Sequence, residues 1–405
     1  MAGQRRLIVY PPRDHSSTAG AKLAAETEIL VVLGTRPEAI KLAPVIRELR
    51  RRPGQRTRVC LTGQHKEMVA SVLSFFRVEA DANLQVMQPN QSLNGLASRA
   101  LAGLDGVLTE FSPDWTLVQG DTTTAFAAAL ASYHRRVKVG HVEAGLRSYD
   151  RFKPYPEEVN RVMTAAVSDL HFCPTARARD ALLAEQIQDS TIRVVGNTVI
   201  DALHLALERL ETGVDATPSI EKSFPGLRLD QPFILVTGHR RESFGKPFQD
   251  LCRAIREVAE TEGVQFVYPV HLNPNVRQPV FEILGGVKRM HLGEPVGYPE
   301  LVSLAQRCRF ILTDSGGIQE EAAALGKPVL VMREVTERRE SVDAGVSRLV
   351  GTDRSAIVEW TLRLLRDAAT YRQMARRVDV YGDGHASERI ADALGLGAAR
   401  PAGAV

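Results

Sequence analysis

Cysteine, excess charge of either sign and long apolar runs are all scarce in this chain of 405 residues. Its four cysteines (Cys60, Cys173, Cys252 and Cys308) lie far apart, with no CxxC pair and no histidine at metal-ligand spacing, which argues against structural zinc and a disulfide scaffold. The longest apolar runs are strand-sized, well short of the roughly 18 to 20 residues of a membrane span. The N-terminal apolar run is too short for a signal peptide. We therefore expect a cytoplasmic protein with no metal site and no membrane contact.

The charge balance is nearly even, with 51 basic and 48 acidic residues and a formal net charge of +3. By charge alone, this argues against a nucleic-acid partner or an anionic membrane surface. Arginine outnumbers lysine by 42 to nine, and its fork-shaped cation suits carboxylate or phosphate recognition, although a GC-rich genome also produces this bias. The 44 % apolar share is that of an ordinary globular chain, and its length allows two or three domains with a ligand cleft between them.

Short β-branched runs alternate with Ala- and Leu-rich segments of helical spacing from Glu28 onward. The first series of predicted strands covers residues 28–33, 58–62, 115–119 and 137–142, and the second covers residues 233–238, 264–270, 289–292, 309–314 and 328–332. Such runs are typical of strands buried on both faces in βαβ units. The pattern predicts an α/β protein with two Rossmann-like, doubly wound domains facing a cleft.

The boundary between the domains is expected near Gly196, where the strand signals weaken before the second series begins. We predict a flexible N-terminal extension (1–26), a first domain (27–196), a second domain (197–379) and, after further helical sequence, a flexible tail (396–405).

The segment GTRPEAIK (34–41) follows the first predicted strand, at the edge of the sheet where open α/β proteins bind ligands. Gly34 permits a tight turn, Pro37 suits the first turn of a helix, and Arg36 and Lys41 flank its positive end. Free N–H groups and two cations predict a phosphate site. A plain strand-to-helix turn is the alternative.

Two other loops carry weaker signals. In TGQH (62–65), Gln64 and His65 are able to hydrogen-bond a neutral ligand, but an ordinary loop histidine is equally consistent with the pattern. In QGDTTTAFAAALA (119–131), Asp121 stands at a strand end, where it is either a site residue or an N-cap.

Carboxylates are concentrated in HVEAGLRSYDRFKPYPEEVNR (141–161), where Glu143 follows a buried strand and Glu157 begins a helix, one turn before Arg161. Together with Asp121, they are expected to share one region. Gathered carboxylates are costly unless they are paired with cations or used in acid/base chemistry. The alternative is structural: Glu157 as a first-turn residue and Glu143 paired with an arginine.

The second half repeats this arrangement. TGHRRESFG (237–245) places His239, Arg240 and Arg241 after a strand, and His271 follows the next strand. The segment TDSGGIQEEAAALGKPVLV (313–331) supplies residues that suit a diphosphate and a ribose: Ser315, Gly316, Gly317, Glu320 and Glu321. A nucleotide sugar fits this layout.

Taken in order, GTRPEAIK, TGQH, QGDTTT, HVEAGLR, PEEVNR, GNTVIDAL, TGHRRESFG, HLNP, DSGGIQEEA and YGDGHASERI resemble the non-hydrolysing UDP-N-acetylglucosamine 2-epimerases, from about residue 28 to residue 395. The resemblance implies a glycosyltransferase-B fold, a second domain that binds UDP, and a C-terminal helix (380–395) that packs back on the first domain. It also implies interconversion of UDP-GlcNAc and UDP-ManNAc by a homodimer, without metal or other cofactor.

The resemblance also assigns roles to residues of this sequence. The implied catalytic residues are Asp121, Glu143, Glu157 and His239. The implied substrate-binding residues are Arg36, Lys41, Arg161, His239, Ser315, Gly316, Gly317, Glu321 and Arg338. A second UDP-GlcNAc is expected to act as an activator through Gln64, His65 and Arg241. The chain departs from the family at Arg339, where proline is commoner, and at Val296, where a polar residue can contact uracil.

Elementary chemistry favours the same reaction. The C2 hydrogen of UDP-GlcNAc is not alpha to a carbonyl, so departure of UDP from C1 must acidify it and give a 2-acetamidoglucal. Carboxylates around the sugar and cations around the diphosphate serve this route. Three alternatives stay open: a glycosyltransferase, for which no acceptor site is evident, a hydrolysing epimerase that releases ManNAc and UDP, and a non-catalytic nucleotide-sugar sensor.

Overall fold

The computed structural model describes residues 26–63, 66–88 and 91–396. The predicted N-terminal extension, apart from Glu26, and the predicted tail, apart from Leu396, lie outside these residues. Among the described residues, no helix is both long and apolar enough to cross a membrane.

The first half of the chain forms a seven-stranded sheet with helices between its strands. Its strands are β1 (Thr27–Leu33), β2 (Gln55–Leu61), β3 (Ala82–Asn83), β4 (Trp115–Gln119), β5 (Lys138–Val142), β6 (Leu170–Cys173) and β7 (Ile192–Val194). Its helices are α1 (Arg36–Arg51), α2 (Lys66–Phe76), α3 (Leu93–Phe111), α4 (Thr123–His134), α5 (Glu157–Ala166) and α6 (Ala176–Ala184), and α7 (Thr198–Thr212) follows β7.

The second half forms a six-stranded sheet. Its strands are β8 (Phe233–Thr237), β9 (Gln265–Pro269), β10 (Met290–Gly293), β11 (Phe310–Thr313), β12 (Val329–Val331) and β13 (Ser347–Leu349). Its helices are α8 (Thr217–Ser223), α9 (Lys246–Thr261), α10 (Pro274–Leu284), α11 (Tyr298–Arg307), α12 (Gly316–Leu325), α13 (Arg339–Asp343), α14 (Arg354–Arg366) and α15 (Ala368–Met374), followed by α16 (Ala386–Ala393).

Both sheets are parallel and doubly wound. The strand orders are β3-β2-β1-β4-β5-β6-β7 and β10-β9-β8-β11-β12-β13, so the winding reverses between β1 and β4 and again between β8 and β11. These reversal points are where open α/β sheets bind ligands. The prediction of two Rossmann-like domains is confirmed. The short strands β3, β6, β7 and β13 were not predicted.

The alternating side chains of β1 explain why this strand is apolar from Ile29 to Leu33. Val31 and Leu33 enter the core built with α1 and α7, whereas Leu30 and Val32 enter the core built with α3 and α4. Since both faces are covered, no position can be polar without a partner. The second sheet is covered on both faces in the same way.

Helix α7 connects the two halves. It packs against α1 on one side and against α11 and α12 on the other. Helix α16 packs against α1 and α7, and the carboxylate of Asp201 on α7 accepts the backbone N–H of Ser387 at 2.7 Å. This helix begins at Ala386 instead of residue 380, because the preceding chain crosses Gly196 and turns at Gly382 and Gly384, which both have positive φ.

Candidate active site

The loop between β1 and α1 is held by the carboxylate of Glu38, which is buried. It accepts the N–H of Gly34 at 2.9 Å and of Thr35 at 2.6 Å, so the first turn of the helix is fixed in place. Gly34 does not have the positive φ that a glycine turn requires. A Cβ at Gly34 would collide with the hydroxyl of Thr62, so close packing, not a tight turn, explains this glycine.

Glu143 lies at the centre of a buried ion-pair cluster. It directly follows β5 with a positive φ of 62°, a strained conformation that turns its carboxylate towards α1. Lys41 on α1 donates to this carboxylate at 2.6 Å, and Asn197 donates at 3.2 Å. Gln119 also donates to it. Burial alone raises the pKa of Glu143, but Lys41 and Arg338 outweigh this effect and lower it.

Arg338 reaches Glu143 from the second domain. One guanidinium nitrogen lies 3.3 Å from Glu143 Oε1, and its Nε donates to Glu320 at 3.0 Å. The guanidinium packs on Gly316, where a Cβ would lie 2.7 Å from Cζ of Arg338. Burial lowers the pKa of Arg338, but the negative charges of Glu320, Glu143 and Glu337 raise it by a larger amount. The net pKa lies above its ordinary value, so the guanidinium stays charged.

Asp121 forms a salt bridge with Arg161, which also donates to Glu158 at 3.1 Å. The N-cap of α4 is Thr122 and not Asp121, and the side chain of Asp121 is partly exposed beside Arg161. Glu158 in turn accepts the backbone N–H of Tyr149 at 2.9 Å, which ties the loop after β5 to the start of α5.

Glu157 is half-buried at the first position of α5. Burial raises its pKa, and the negative charge of Asp121 raises it further, against a lowering effect from Arg240 of the second domain. These interactions place Glu157 beside Asp121 and facing the second domain. Glu143 is close as well, because a Cβ on Gly120 would lie 3.7 Å from its Oε2. The structure therefore brings the three predicted carboxylates together.

His239 follows β8, and its loop is held by the buried carboxylate of Asp314. Asp314 accepts the N–H of His239 at 2.7 Å and of Arg240 at 2.8 Å. The ring of His239 stacks on His271 with centroids 5.2 Å apart. Burial lowers the pKa of His239, and although Asp314 opposes this, the neighbouring cations support the neutral imidazole.

Helix α12 presents its N-terminus to the cleft. Ser315 is the N-cap residue, and a Cβ on Gly317 would meet open space. One turn on, Glu321 is buried and accepts the hydroxyl of Tyr298 at 2.8 Å. Burial raises the pKa of Glu321 to about 7.

Arg36 reaches across to this second domain. It donates to the backbone carbonyl of Val296 at 3.4 Å, and its charge acts on Glu321 and on the stacked histidines. Val296 is itself buried. Arg36 therefore brings a cation of the first domain to the polar groups of the second.

The predicted activator residues are only partly described. Gln64 and His65 lie outside the described residues, whereas Arg241 is exposed in a short turn (Arg241–Ser243) beside Arg240. Arg339 is exposed and lies 3.8 Å from Asp343, away from Glu143.

Sequence reasoning missed the residues that position the site: Gln119, Glu158, Asn197, Tyr298 and Asp314. Each of them except Tyr298 lies next to or within a segment that the sequence analysis singled out. The signal was present for Asn197, which is both the N-cap of α7 and a donor to Glu143.

Two doubly wound domains with strand ends facing a polar cleft define an α/β protein of the glycosyltransferase-B type. Residues 47–395 match the family model described as UDP-N-acetylglucosamine 2-epimerase. The chain therefore belongs to the UDP-N-acetylglucosamine 2-epimerase family, a family of isomerases, as its motifs predicted.

Individual relatives agree. The UDP-N-acetylglucosamine 2-epimerase of Escherichia coli K12 is 50 % identical over 368 residues, which cover 91 % of this chain and 98 % of that protein. The crystal structure of the Neisseria meningitidis UDP-GlcNAc 2-epimerase bound to UDP-GlcNAc is 45 % identical, with a TM-score of 0.87 over 91 % of this chain and 99 % of that one. The Methanocaldococcus jannaschii enzyme in complex with UDP-GlcNAc and UDP is 32 % identical, with a TM-score of 0.80 over 91 % and 99 %.

Proposed function

We propose that this protein interconverts UDP-GlcNAc and UDP-ManNAc by eliminating UDP to a 2-acetamidoglucal and adding it back. One observation carries the proposal: Asp121, Glu143 and Glu157 converge on one side of a cleft whose other side holds His239 and the N-terminus of α12. Proton transfer at the sugar needs the carboxylates, and binding of a nucleoside diphosphate needs the histidine and the helix N-terminus.

The nucleotide is placed on the second domain. We place the diphosphate beside Ser315, Gly316 and Gly317 at the start of α12, because a helix N-terminus favours anions. The carboxylate of Glu321 is suited to accept hydrogen bonds from both ribose hydroxyls. Arg36 and His239 lie beside it and stabilise the charge that develops on departing UDP. The N. meningitidis structure contains UDP-GlcNAc and the M. jannaschii structure contains UDP-GlcNAc and UDP, which supports a nucleotide sugar as the ligand.

The reaction breaks and remakes two bonds. The C1–O bond to UDP breaks with its electron pair on the diphosphate, and a carboxylate removes the C2 proton, which leaves a C1=C2 double bond. A second group then returns a proton to the opposite face of C2 while UDP adds to C1. Charge at C1 makes the C2 hydrogen acidic enough for a carboxylate, so both groups must lie within reach of C2.

The structure supports different roles for the three carboxylates. Glu143 is bound by Lys41 and Arg338 and has a lowered pKa, so we assign it to stabilising positive charge at C1 and not to carrying a proton. Lys41 then serves Glu143 instead of the leaving group. Glu157 has a raised pKa and access to the cleft, which suits a proton donor, and Asp121 beside it is the candidate base.

Incubation with UDP-GlcNAc in D2O, followed by NMR, tests the mechanism. Deuterium at C2 of both epimers is expected, with free UDP remaining substoichiometric. Epimerisation without deuterium uptake would contradict proton transfer through the solvent-exchangeable carboxylates. Stoichiometric release of UDP and ManNAc would show the hydrolysing reaction, in which water captures the glucal.

A second UDP-GlcNAc is proposed as an activator beside the active site, where Arg241 is exposed next to Arg240, which faces Glu157. If binding of this second UDP-GlcNAc favours a state in which the two domains close on the substrate, UDP-ManNAc alone should react slowly and a trace of UDP-GlcNAc should start the reaction. Prompt conversion of pure UDP-ManNAc would remove the activator and leave the epimerase.

We further propose a homodimer in the cytoplasm. Tyr133, Val162 and Met163 are exposed on the adjacent helices α4 and α5, where a second copy would cover them. The cysteines are free and buried, as a reducing compartment allows. Light scattering of the wild type and of Met163→Glu tests the dimer, since a charge in the interface should yield monomers.

A further inference from the structure

Three arginines converge at a second cavity, away from the carboxylates of the cleft. The cavity has a volume of about 280 Å³ and is lined by Arg47, Arg77 and Arg209, together with the end of α7. Arg47 lies on α1, Arg77 directly follows α2 with a positive φ of 54°, and Arg209 lies in the last turn of α7. Helices α1 and α7 and the residue that follows α2 thus direct guanidinium groups to one place.

The charge at this cavity is poorly compensated. Glu208 is the acidic residue in its lining, and it is exposed. Nε of Arg209 is buried without a hydrogen-bond partner, and the Arg209 guanidinium lies over the ring of Phe75 at 5.0 Å, a face that offers no lone pair. A buried donor without an acceptor is costly, so this geometry favours an added anion.

The arginines also act on one another. Burial lowers the pKa of Arg47, and the charges of Arg209, Arg51 and Arg77 lower it further, with Glu208 opposing them. Burial and then Arg77 lower the pKa of Arg209. Such mutual repulsion costs stability unless it is offset by negative charge from a ligand.

We propose that Arg47, Arg77 and Arg209 form a binding site for a phosphoryl group, carried either as inorganic phosphate or as a small phosphomonoester. Guanidinium groups match phosphate oxygens by paired, charge-assisted hydrogen bonds. A water needs only about 10–15 Å³ of such a cavity, so the volume admits a phosphoryl group and part of a carrier.

This site is distinct from the nucleotide site. Phe75 separates it from Tyr298, whose ring centroid lies 6.4 Å from that of Phe75 and whose hydroxyl binds Glu321. An anion between the arginines therefore does not occupy the place assigned to UDP. The protein should bind the anion and UDP at the same time.

Calorimetric titration of inorganic phosphate into the UDP-saturated protein tests the proposal. One saturable site is expected, and Arg47→Gln, Arg77→Gln and Arg209→Gln should each weaken it by about tenfold or more, since a hydrogen bond to a charged group is worth at least that factor. Arg372→Gln, an exposed arginine on α15, is the matched control and should bind phosphate normally. Glycerol phosphate in a parallel titration identifies the source: tighter binding than phosphate indicates a phosphomonoester, and weaker binding indicates phosphate itself.

Absence of saturable binding, or unchanged binding in the triple Gln variant, would overturn the proposal. Thermal unfolding at low salt supplies a second readout that does not depend on the ligand. Relief of repulsion should leave each Gln variant at least as stable as the parent. If the arginines instead serve only to cap α7, the variants should lose stability and phosphate should not stabilise the UDP-bound parent, which also overturns it.

Discussion

Arg338 and Glu143, 195 residues apart in the chain, meet across the two domains with a nitrogen-to-oxygen distance of 3.3 Å. Lys41 binds the same carboxylate at 2.6 Å from the first domain. The carboxylate therefore depends on cations from both halves of the molecule. A buried pair of this kind adds little net stability, but removing one partner leaves a costly charge. The contact thus links the relative position of the domains to the electrostatics of the site.

Gly316 and Gly317 provide a matched test of this contact. Gly316→Ala should displace the guanidinium of Arg338 from Glu143, because the new Cβ would lie 2.7 Å from Cζ. We expect a lower melting temperature and reduced turnover. Gly317→Ala meets open space, so its stability should be unchanged, while UDP binding weakens because the methyl group enters the proposed diphosphate site. Equal melting temperatures for both variants would contradict the role given to Gly316.

Removal of the carboxylates should separate catalysis from structure. Asp121→Asn and Glu157→Gln should lower turnover by about 10² to 10⁴ without unfolding the protein, since a positioned acid or base is typically worth that factor. Glu143→Gln should also lower the free energy of unfolding, by about 3–5 kcal/mol, because buried Lys41 loses the carboxylate with which it pairs. Steady-state kinetics and urea denaturation measure the two effects. Glu110→Gln, an exposed change on α3, is the control, and near-normal turnover in any of the three removes that residue from the mechanism.

Nucleotide affinity should depend on a different set of residues. Arg36→Ala, His239→Ala and Glu321→Ala should each weaken binding of UDP, because the proposed contacts are with diphosphate and ribose. Glu157→Gln should leave the affinity for UDP unchanged, because it faces the sugar. Calorimetric titration with UDP compares the four. The nucleotide site has been placed wrongly if the first three variants bind UDP like the parent.

Glu321 should contribute a pH-dependent term to stability. In the folded state its pKa is about 7, whereas the unfolded value is about 4.5, so the folded state holds the proton more tightly. Its contribution is fully present below about pH 4.5 and is lost as the pH rises through 7. At about 1.4 kcal/mol per pKa unit the total is about 3 kcal/mol. Urea denaturation of the parent and of Glu321→Gln between pH 4.5 and 8 should show their difference falling by that amount; a constant difference contradicts the assignment.

Local pattern was sufficient to predict the fold class and the neighbourhood of the site. Apolar β-branched runs alternate with helical segments, and parallel strands place their carboxyl ends at one edge, so Asp121, Glu143 and Glu157 were expected to meet. The four strands that were missed, β3, β6, β7 and β13, have only two to four residues each. In β7 and β13, two of the three residues are not fully buried. Such short strands do not supply the continuous apolar run on which the prediction depends.

Only the tertiary structure decided what the charged residues do to one another. Sequence order placed Lys41 and Arg36 on one helix as equal candidates for phosphate, yet the fold directs Lys41 to Glu143 and Arg36 to the second domain. Arg338 meets Glu143 only because the domains face each other. The proximity of Arg47, Arg77 and Arg209 likewise follows from the packing of three helices. Charge interactions depend on distance and burial, which a linear pattern of residues does not contain, whereas strand and helix periods are written in the order of the residues itself.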